Sequence, residues 1–199
     1  TARDQMPAAL AEHLRYPEDL FRVQTEMYSK YQLPAEAFFQ RNGAWSVAQA
    51  PSVNRLDSGS GVTVSDLEED DNAAEAFATE SGVPRFVPYY TMFRPVSGGA
   101  DEFVILRPFV PFSTNDQRTE LQAYMTASSA PATYGNLVSY VVDMAELPTG
   151  PQRVADRAES DETIGPELTL QASQETGSQI RFGDMQLIPV AEGLVYVRP

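Results

Sequence analysis

The spacing of apolar positions shifts along the chain, and each shift marks a different kind of element. After Pro17, the residues Leu20, Val23, Met27 and Tyr31 recur at the three-to-four-residue spacing of one helix face. Proline suits a first helical position, Glu18 and Asp19 lie near the positive end of the helix dipole, and Lys30 lies near the negative end. A helix is therefore predicted there. A second, shorter helix is predicted from near Pro34, carrying Phe38 and Phe39 and ending at Asn42-Gly43.

Farther along, Tyr89 to Val96 and Glu102 to Val110 alternate or run apolar around Ser97-Gly98-Gly99-Ala100-Asp101, the pattern of a hairpin. Glu120 to Ala127 and Leu137 to Val142 read as two more strands, joined through Pro131 and Gly135. These four predict a mostly antiparallel sheet. Pro151 and Pro166 then open helical stretches at about Gln152 to Ser160 and Glu167 to Ser173. The chain closes with strand-like runs at Ser178 to Phe182, Met185 to Val190 and Leu194 to Val197, with turns at Gly183-Asp184 and Gly193. Strands in two blocks, with helices before and between them, predict an α+β fold: a mostly antiparallel sheet with N-terminal helices and a helical segment before a C-terminal β block. With 199 residues and 42% apolar content, residues 1–199 are expected to form one domain around one core.

Charge interrupts this pattern in one place. Between Asp57 and Glu80 lie eight acids and no Lys or Arg, so more than half of the net charge of −14 sits there. Ser58-Gly59-Ser60-Gly61 resembles a linker, and Asp66 to Phe77 fits a short acidic helix capped by Ser65. Residues 52–83 are thus expected to be an exposed acidic excursion. Over the whole chain, 14 cations face 28 acids and form no cluster of three or more, which argues against nucleic acid and against anionic lipid surfaces. The absence of cysteine removes disulfides, thiolate nucleophiles and Cys-ligated metals. The apolar run from Phe103 to Phe112 is broken by Arg107 and two prolines and is far shorter than the roughly 18 residues of a membrane span. No direct membrane insertion by this stretch of chain is expected. The start at Thr1 and the stop just after a strand-like run are both expected to be cut points in a longer polypeptide.

Known catalytic patterns fit poorly. His13 is the only histidine, so a Ser-His-Asp triad has one possible base and a multi-histidine metal site has none. Its place just before a helix fits a structural, hydrogen-bonded role. Gly59-Ser60-Gly61 lacks the third glycine, the preceding strand and the following helix of a phosphate loop, and no Gly-Lys-Ser/Thr occurs. The acidic run from Asp66 to Asp71 lacks the alternating ligands and central glycine of a calcium loop. Tyr89, Tyr90, Phe93 and the Phe109 to Phe112 stretch suit either a sugar or peptide groove or the packing of strands. No residue is assigned a catalytic, cofactor-binding or metal-binding role, and no cofactor is expected.

One stretch, His13-Leu14-Arg15-Tyr16-Pro17-Glu18-Asp19-Leu20-Phe21 with Val23-Gln24, resembles a signature of uncharacterised protein family 0182. Further blocks resemble the family in the same order: Pro88-Tyr89-Tyr90, Pro108-Phe109-Val110-Pro111, Ala123-Tyr124-Met125 and Tyr134-Gly135-Asn136-Leu137. Gly150-Pro151 with Val154, Arg157 and Asp161 begins a last series, which continues through Leu168-Thr169-Leu170, Gly177-Ser178, Gly183 and Ile188-Pro189 to Leu194 through Pro199. Departures are Gln32 where the family pattern has histidine, a missing Trp-containing stretch after Leu170, and Asp184 in place of asparagine. The resemblance implies a large bacterial membrane protein of unknown function, with several membrane helices preceding a soluble extracytoplasmic region of which this is the later part. It implies no reaction, cofactor or catalytic residue.

The expectation is accordingly a non-catalytic extracytoplasmic domain of a multi-pass bacterial membrane protein, itself soluble and held at the outer face of the cell membrane. Its expected partners are the membrane-embedded remainder of the same polypeptide and an envelope component or another protein. Two alternatives remain: a carboxylate-pair hydrolase acting on cell-envelope polymer, which needs two clustered acids in an aromatic-lined cleft, and a domain that serves only to pack. Gly177, Gly183 and Gly193 are read as turn residues, and the aromatics as core.

Overall fold

The computed structural model describes residues 5–40, 43–51, 85–95, 100–142, 147–171, 180, 182–190 and 193–199. The expected acidic excursion, with its linker and capped helix, lies outside the described residues. Helices α1 (Ala8–Ala11), α2 (Glu18–Tyr31) and α3 (Ala35–Gln40) come first, followed by strands β1 (Trp45–Val47), β2 (Tyr89–Phe93), β3 (Glu102–Pro111), β4 (Ala123–Ser128) and β5 (Leu137–Val141). Helices α4 (Pro151–Glu159) and α5 (Ile164–Gln171) then lead to strands β6 (Gln186–Val190) and β7 (Gly193–Val197). The chain is α+β, and every strand pairing among the described residues is antiparallel.

The sheet runs β1-β3-β4-β5, and β2 shares the β1 edge of β3. Both fit because β3 is ten residues long: β1 takes its C-terminal end, Trp45 opposite Pro111, and β2 its N-terminal half, Tyr89 opposite Leu106. β1 was not predicted, being too short to show a period, and α1 was not predicted either. β4 begins at Ala123, later than expected, since Glu120 instead bridges to Thr149. Within the expected strand Ser178 to Phe182, the described Ile180 and Phe182 are not in strand conformation.

Both faces of the sheet are covered, which is why β4 is buried along its whole length. On one face Ile105 and Phe109 of β3 cluster with Ala123, Met125 and Ala127 of β4, and with Phe21 of α2 and Trp45. On the other face Val104, Leu106 and Tyr124 cluster with Phe93 and with Leu187 of β6. The β6-β7 hairpin is pinned there by Tyr89, whose hydroxyl donates to the Leu187 carbonyl at 2.7 Å and accepts from the Leu187 N–H at 2.7 Å.

Several motif blocks meet in space. The Tyr16 N–H donates to Ser129 Oγ at 3.0 Å, the Tyr90 hydroxyl donates to the Tyr16 carbonyl at 2.6 Å, and the Tyr134 hydroxyl donates to the Arg15 carbonyl at 3.1 Å. Gly135 has φ of +81°, and a Cβ there would sit 3.2 Å from the Tyr16 ring, so glycine serves both the left-handed turn and the close approach. Gly193 stands at the turn of the β6-β7 hairpin, opposite Val190, and neither it nor Gly183 has a left-handed φ. Gly183 instead lies against the chain end, its N–H donating to the Pro199 carbonyl at 2.7 Å.

Three tyrosines, buried Tyr124 and half-buried Tyr89 and Tyr196, set the alkaline limit of this fold. Burial holds the hydroxyls of Tyr89 and Tyr196 well above the ordinary phenol range and pushes Tyr124 up to about 12. Each binds its proton more tightly folded than unfolded, so its contribution to stability is complete below the unfolded value near 10 and is lost as pH climbs through the folded one. Arg107, lowered by burial to about 10, contributes with the opposite sign in the same window, one group against three. Denaturant midpoints are therefore expected to fall steadily above about pH 10. Phenolate absorbance should show these three tyrosines ionising only with unfolding, whereas free titration of all nine in the folded chain would contradict the packing.

Candidate functional site

α2 carries its apolar stripe on the outside. Phe21, Arg22, Thr25 and Ser29 are buried against the sheet, while Leu20, Val23, Met27 and Tyr31 are 46%, 62%, 52% and 62% exposed. A helix normally turns such a stripe inward, because each buried large apolar side chain is worth about 1.5–3 kcal/mol. Here the inward face is mostly polar and is accommodated by hydrogen bonds. Thr25 Oγ1 donates to the Phe21 carbonyl at 2.8 Å, and Arg22 pairs with Glu18 at 2.5 Å. From the middle of β3, buried Arg107 reaches up to the Phe86 carbonyl at 3.2 Å and to Thr25 Oγ1 at 3.4 Å, with Glu26 at 3.7 Å. Tyr28, also exposed, leans its ring on Trp45 with centroids 6.4 Å apart. The result is a helix anchored by one side and presenting exposed apolar groups on the other.

A second feature lies at the start of α4. Glu120 bridges to Thr149, the Leu121 N–H donates to the Pro148 carbonyl at 2.8 Å, and the Gly150 N–H donates to the Thr119 carbonyl at 2.9 Å. This short ladder lays the segment before β4 alongside the residues that enter the helix, and Pro151 starts α4 at once. Between them opens a cavity of about 510 Å³ lined by Arg118, Thr119, Glu120, Leu147, Thr149, Arg153 and Arg157. Arg118 is carried there by a braced loop. Gln49 donates through Nε2 to the carbonyls of Asp116 and Arg118 at 3.1 and 3.0 Å, and Arg85 pairs with the Asp116 carboxylate at 2.7 Å. Those contacts hold Asp116 at a φ of +56°, a region that aspartate tolerates better than most residues. Across the cavity the Tyr196 hydroxyl donates to the Thr149 carbonyl at 3.0 Å, and Arg198 pairs with Glu159 at 2.5 Å, so the C-terminal hairpin holds α4 in place.

None of the groups weighed from sequence gathers at either feature. His13 is exposed ahead of α2. Phe93 and Phe109 are core residues, and Tyr89 packs against the core, so the aromatic groove is not formed by them. The acidic run and Gly59-Ser60-Gly61 lie outside the described residues. Among the described residues the cavity is lined by one carboxylate, Glu120, where a hydrolase of this kind needs a pair, and Arg118 holds its carboxyl below the usual carboxylate range by a 2.9 Å hydrogen bond. Among the described residues no group of three or more His, Cys, Asp or Glu side chains is placed to hold a metal ion, and no helix is long and apolar enough to cross a membrane. Sequence reasoning missed Arg118, Arg153 and Arg157. Two arginines one turn apart in the helix predicted after Pro151 were the available signal.

The described residues form an α+β domain in which the ordered motif blocks share one buried core. The model of the Uncharacterised protein family (UPF0182) matches residues 1–171, and the chain belongs to that family. A UPF0182 protein of Mycobacterium tuberculosis is 31% identical over 201 residues, covering 100% of this chain and 17% of the relative. UPF0182 proteins of Pelotomaculum thermopropionicum and Cupriavidus necator are 29% and 28% identical, each covering 98% of this chain and 18% of the relative. The chain thus spans less than a fifth of the length of the curated relatives it matches. No solved structure matches it.

Proposed function

We propose that this chain is a non-catalytic, extracytoplasmic interaction domain of a multi-pass bacterial membrane protein, docked through α2 onto the remainder of its own polypeptide. The observation that carries this reading is the outward stripe of Leu20, Val23, Met27 and Tyr31. A folded surface does not keep such a face in water without cost, and relatives of which this chain covers only 17% or 18% have ample further chain to cover it. An envelope component or a separate protein is the other occupant to be tested.

Val23→Asp combined with Met27→Asp is expected to change the unfolding free energy of the isolated chain by no more than about 0.5 kcal/mol per site, because neither side chain packs on the core. In the full-length protein, a photo-crosslinker at Val23 should join the remainder of the same polypeptide. Crosslinks exclusively to other proteins would transfer the surface to a separate partner. The chain contains no cysteine, so a cysteine placed at exposed Arg94, with any cysteines in the remainder of the protein replaced, tests sidedness. Labelling by a membrane-impermeant maleimide in intact cells supports the extracytoplasmic reading, and labelling only after lysis refutes it.

A further inference from the structure

The cavity beside α4 departs from the electrostatic logic of the rest of the molecule. In a chain with twice as many acids as cations, the described cations elsewhere are matched: Arg22 by Glu18, Lys30 and Arg107 by Glu26, Arg85 by Asp116, Arg94 by Asp101, and Arg198 by Glu159. Arg15 lies over the rings of Tyr90 and Phe103. Among the described residues, Arg153 and Arg157 have neither a carboxylate nor a ring, and both line this one cavity. The one polar contact of their guanidinium groups is weak, Arg157 Nη1 donating to Thr149 Oγ1 at 3.4 Å. Glu120 is already engaged by Arg118, so the described lining keeps an excess of two positive charges.

This arrangement works against the helix that carries it. Arg153 is the third residue of α4, at the positive end of its dipole, in a first turn that holds no acid and has no side-chain cap. Arg157, one turn later, suits the dipole from the last turn but adds a like charge at i+4, a pairing that costs a helix a few tenths of a kcal/mol. A bound anion offsets the unfavourable terms. Thr119 and Thr149 line the same space, and the loop that delivers Arg118 is braced by Gln49 and Arg85. A volume of about 510 Å³ exceeds what a bare oxyanion fills and falls in the range of small-molecule sites.

We propose that Arg153 and Arg157, with Arg118 and the two threonines, form a binding site for a phosphorylated polar ligand the size of a sugar phosphate, the guanidinium forks holding the phosphate oxygens. The phosphate belongs either to a soluble compound or to a lipid headgroup. The site stands on the cavity alone and does not depend on the docking role of α2.

The test is calorimetric titration of the 199-residue chain at low ionic strength with glucose 1-phosphate and inorganic pyrophosphate, with glucose as the neutral control. Binding to phosphatidylglycerol vesicles, against phosphatidylcholine vesicles, is measured alongside. The phosphates are expected to bind and glucose not. Arg153→Gln with Arg157→Gln should weaken phosphate binding at least about tenfold, with an unchanged circular dichroism spectrum. Arg94→Gln, which removes a cation from a distant exposed pair, should stay within about twofold of the parent. Saturable binding of the soluble phosphates identifies a soluble ligand, and selective binding of phosphatidylglycerol vesicles lost in the double variant identifies a headgroup. The proposal is overturned if no phosphate probe binds, if the double variant binds like the parent, or if Arg94→Gln weakens binding as much as the double variant does.

Discussion

Replacing Phe21 by alanine is expected to lower the unfolding free energy of the chain by about 3–5 kcal/mol. The ring is fully buried and belongs to the cluster formed by Trp45, Ile105, Phe109 and Met125. On the inward face of α2 it is the sole large apolar group, its companions there being Arg22, Thr25 and Ser29. Losing it removes the transfer energy of a phenyl ring and leaves a void beneath a helix whose remaining attachments are polar. Those attachments, including the contacts of Arg107 with Thr25 and Glu26, then have to hold α2 unaided. Leu20→Ala, one residue away, should cost under about 1 kcal/mol because that side chain is 46% exposed. Urea unfolding of the two variants side by side measures the contrast. Equal losses would mean that α2 sits on the sheet by a different face, and the docking surface proposed for it would fall with that.

The second large effect is expected at Gly150. A Cβ there would lie 2.1 Å from the Thr119 carbonyl oxygen and 3.1 Å from its carbon, both backbone atoms that no rotamer change can move. Its φ of −79° and ψ of 173° are open to any residue, so glycine is required by space and not by conformation. Gly150→Ala must either break the 2.9 Å hydrogen bond to Thr119 or push α4 away from the segment holding Arg118. Such overpacking costs about 1–3 kcal/mol or more. Because the displaced ladder is one wall of the cavity, phosphate affinity should fall together with the melting temperature. Full affinity in a destabilised variant would show that the site does not depend on this ladder, and a variant as stable as the parent would show that the two segments separate freely.

The sequence made local structure legible wherever local rules govern it. Pro17, Pro34 and Pro151 were sound markers of helix starts, as seen in α2, α3 and α4, because proline's fixed φ and missing donor act on the nearest few residues. The hairpin of β2 and β3 and the strands β4 and β5 followed from apolar runs bounded by turn residues, and β6 and β7 likewise. β1 escaped because three residues carry no period, and it is a strand by virtue of the β3 edge it meets. The cavity escaped for a related reason: Arg118 and Arg153 belong to separate elements, and the ladder around the Glu120 to Thr149 bridge brings them together.

By itself, then, the sequence determined the kinds and order of the elements, the α+β class, the family, and the removal of thiol and multi-histidine chemistry, since these depend on short-range pattern and on which residue types are present at all. Tertiary structure alone decided which face of α2 is buried. Periodicity marks an apolar stripe without saying what covers it, and here the sheet takes the face of Phe21, Thr25 and Arg107's hydrogen bonds while Leu20, Val23, Met27 and Tyr31 remain outside. It also decided which cations are neutralised. Ion pairing is a matter of distance through space, and among the described residues folding brings carboxylates to Arg22, Arg85 and Arg198 but none to Arg153 and Arg157.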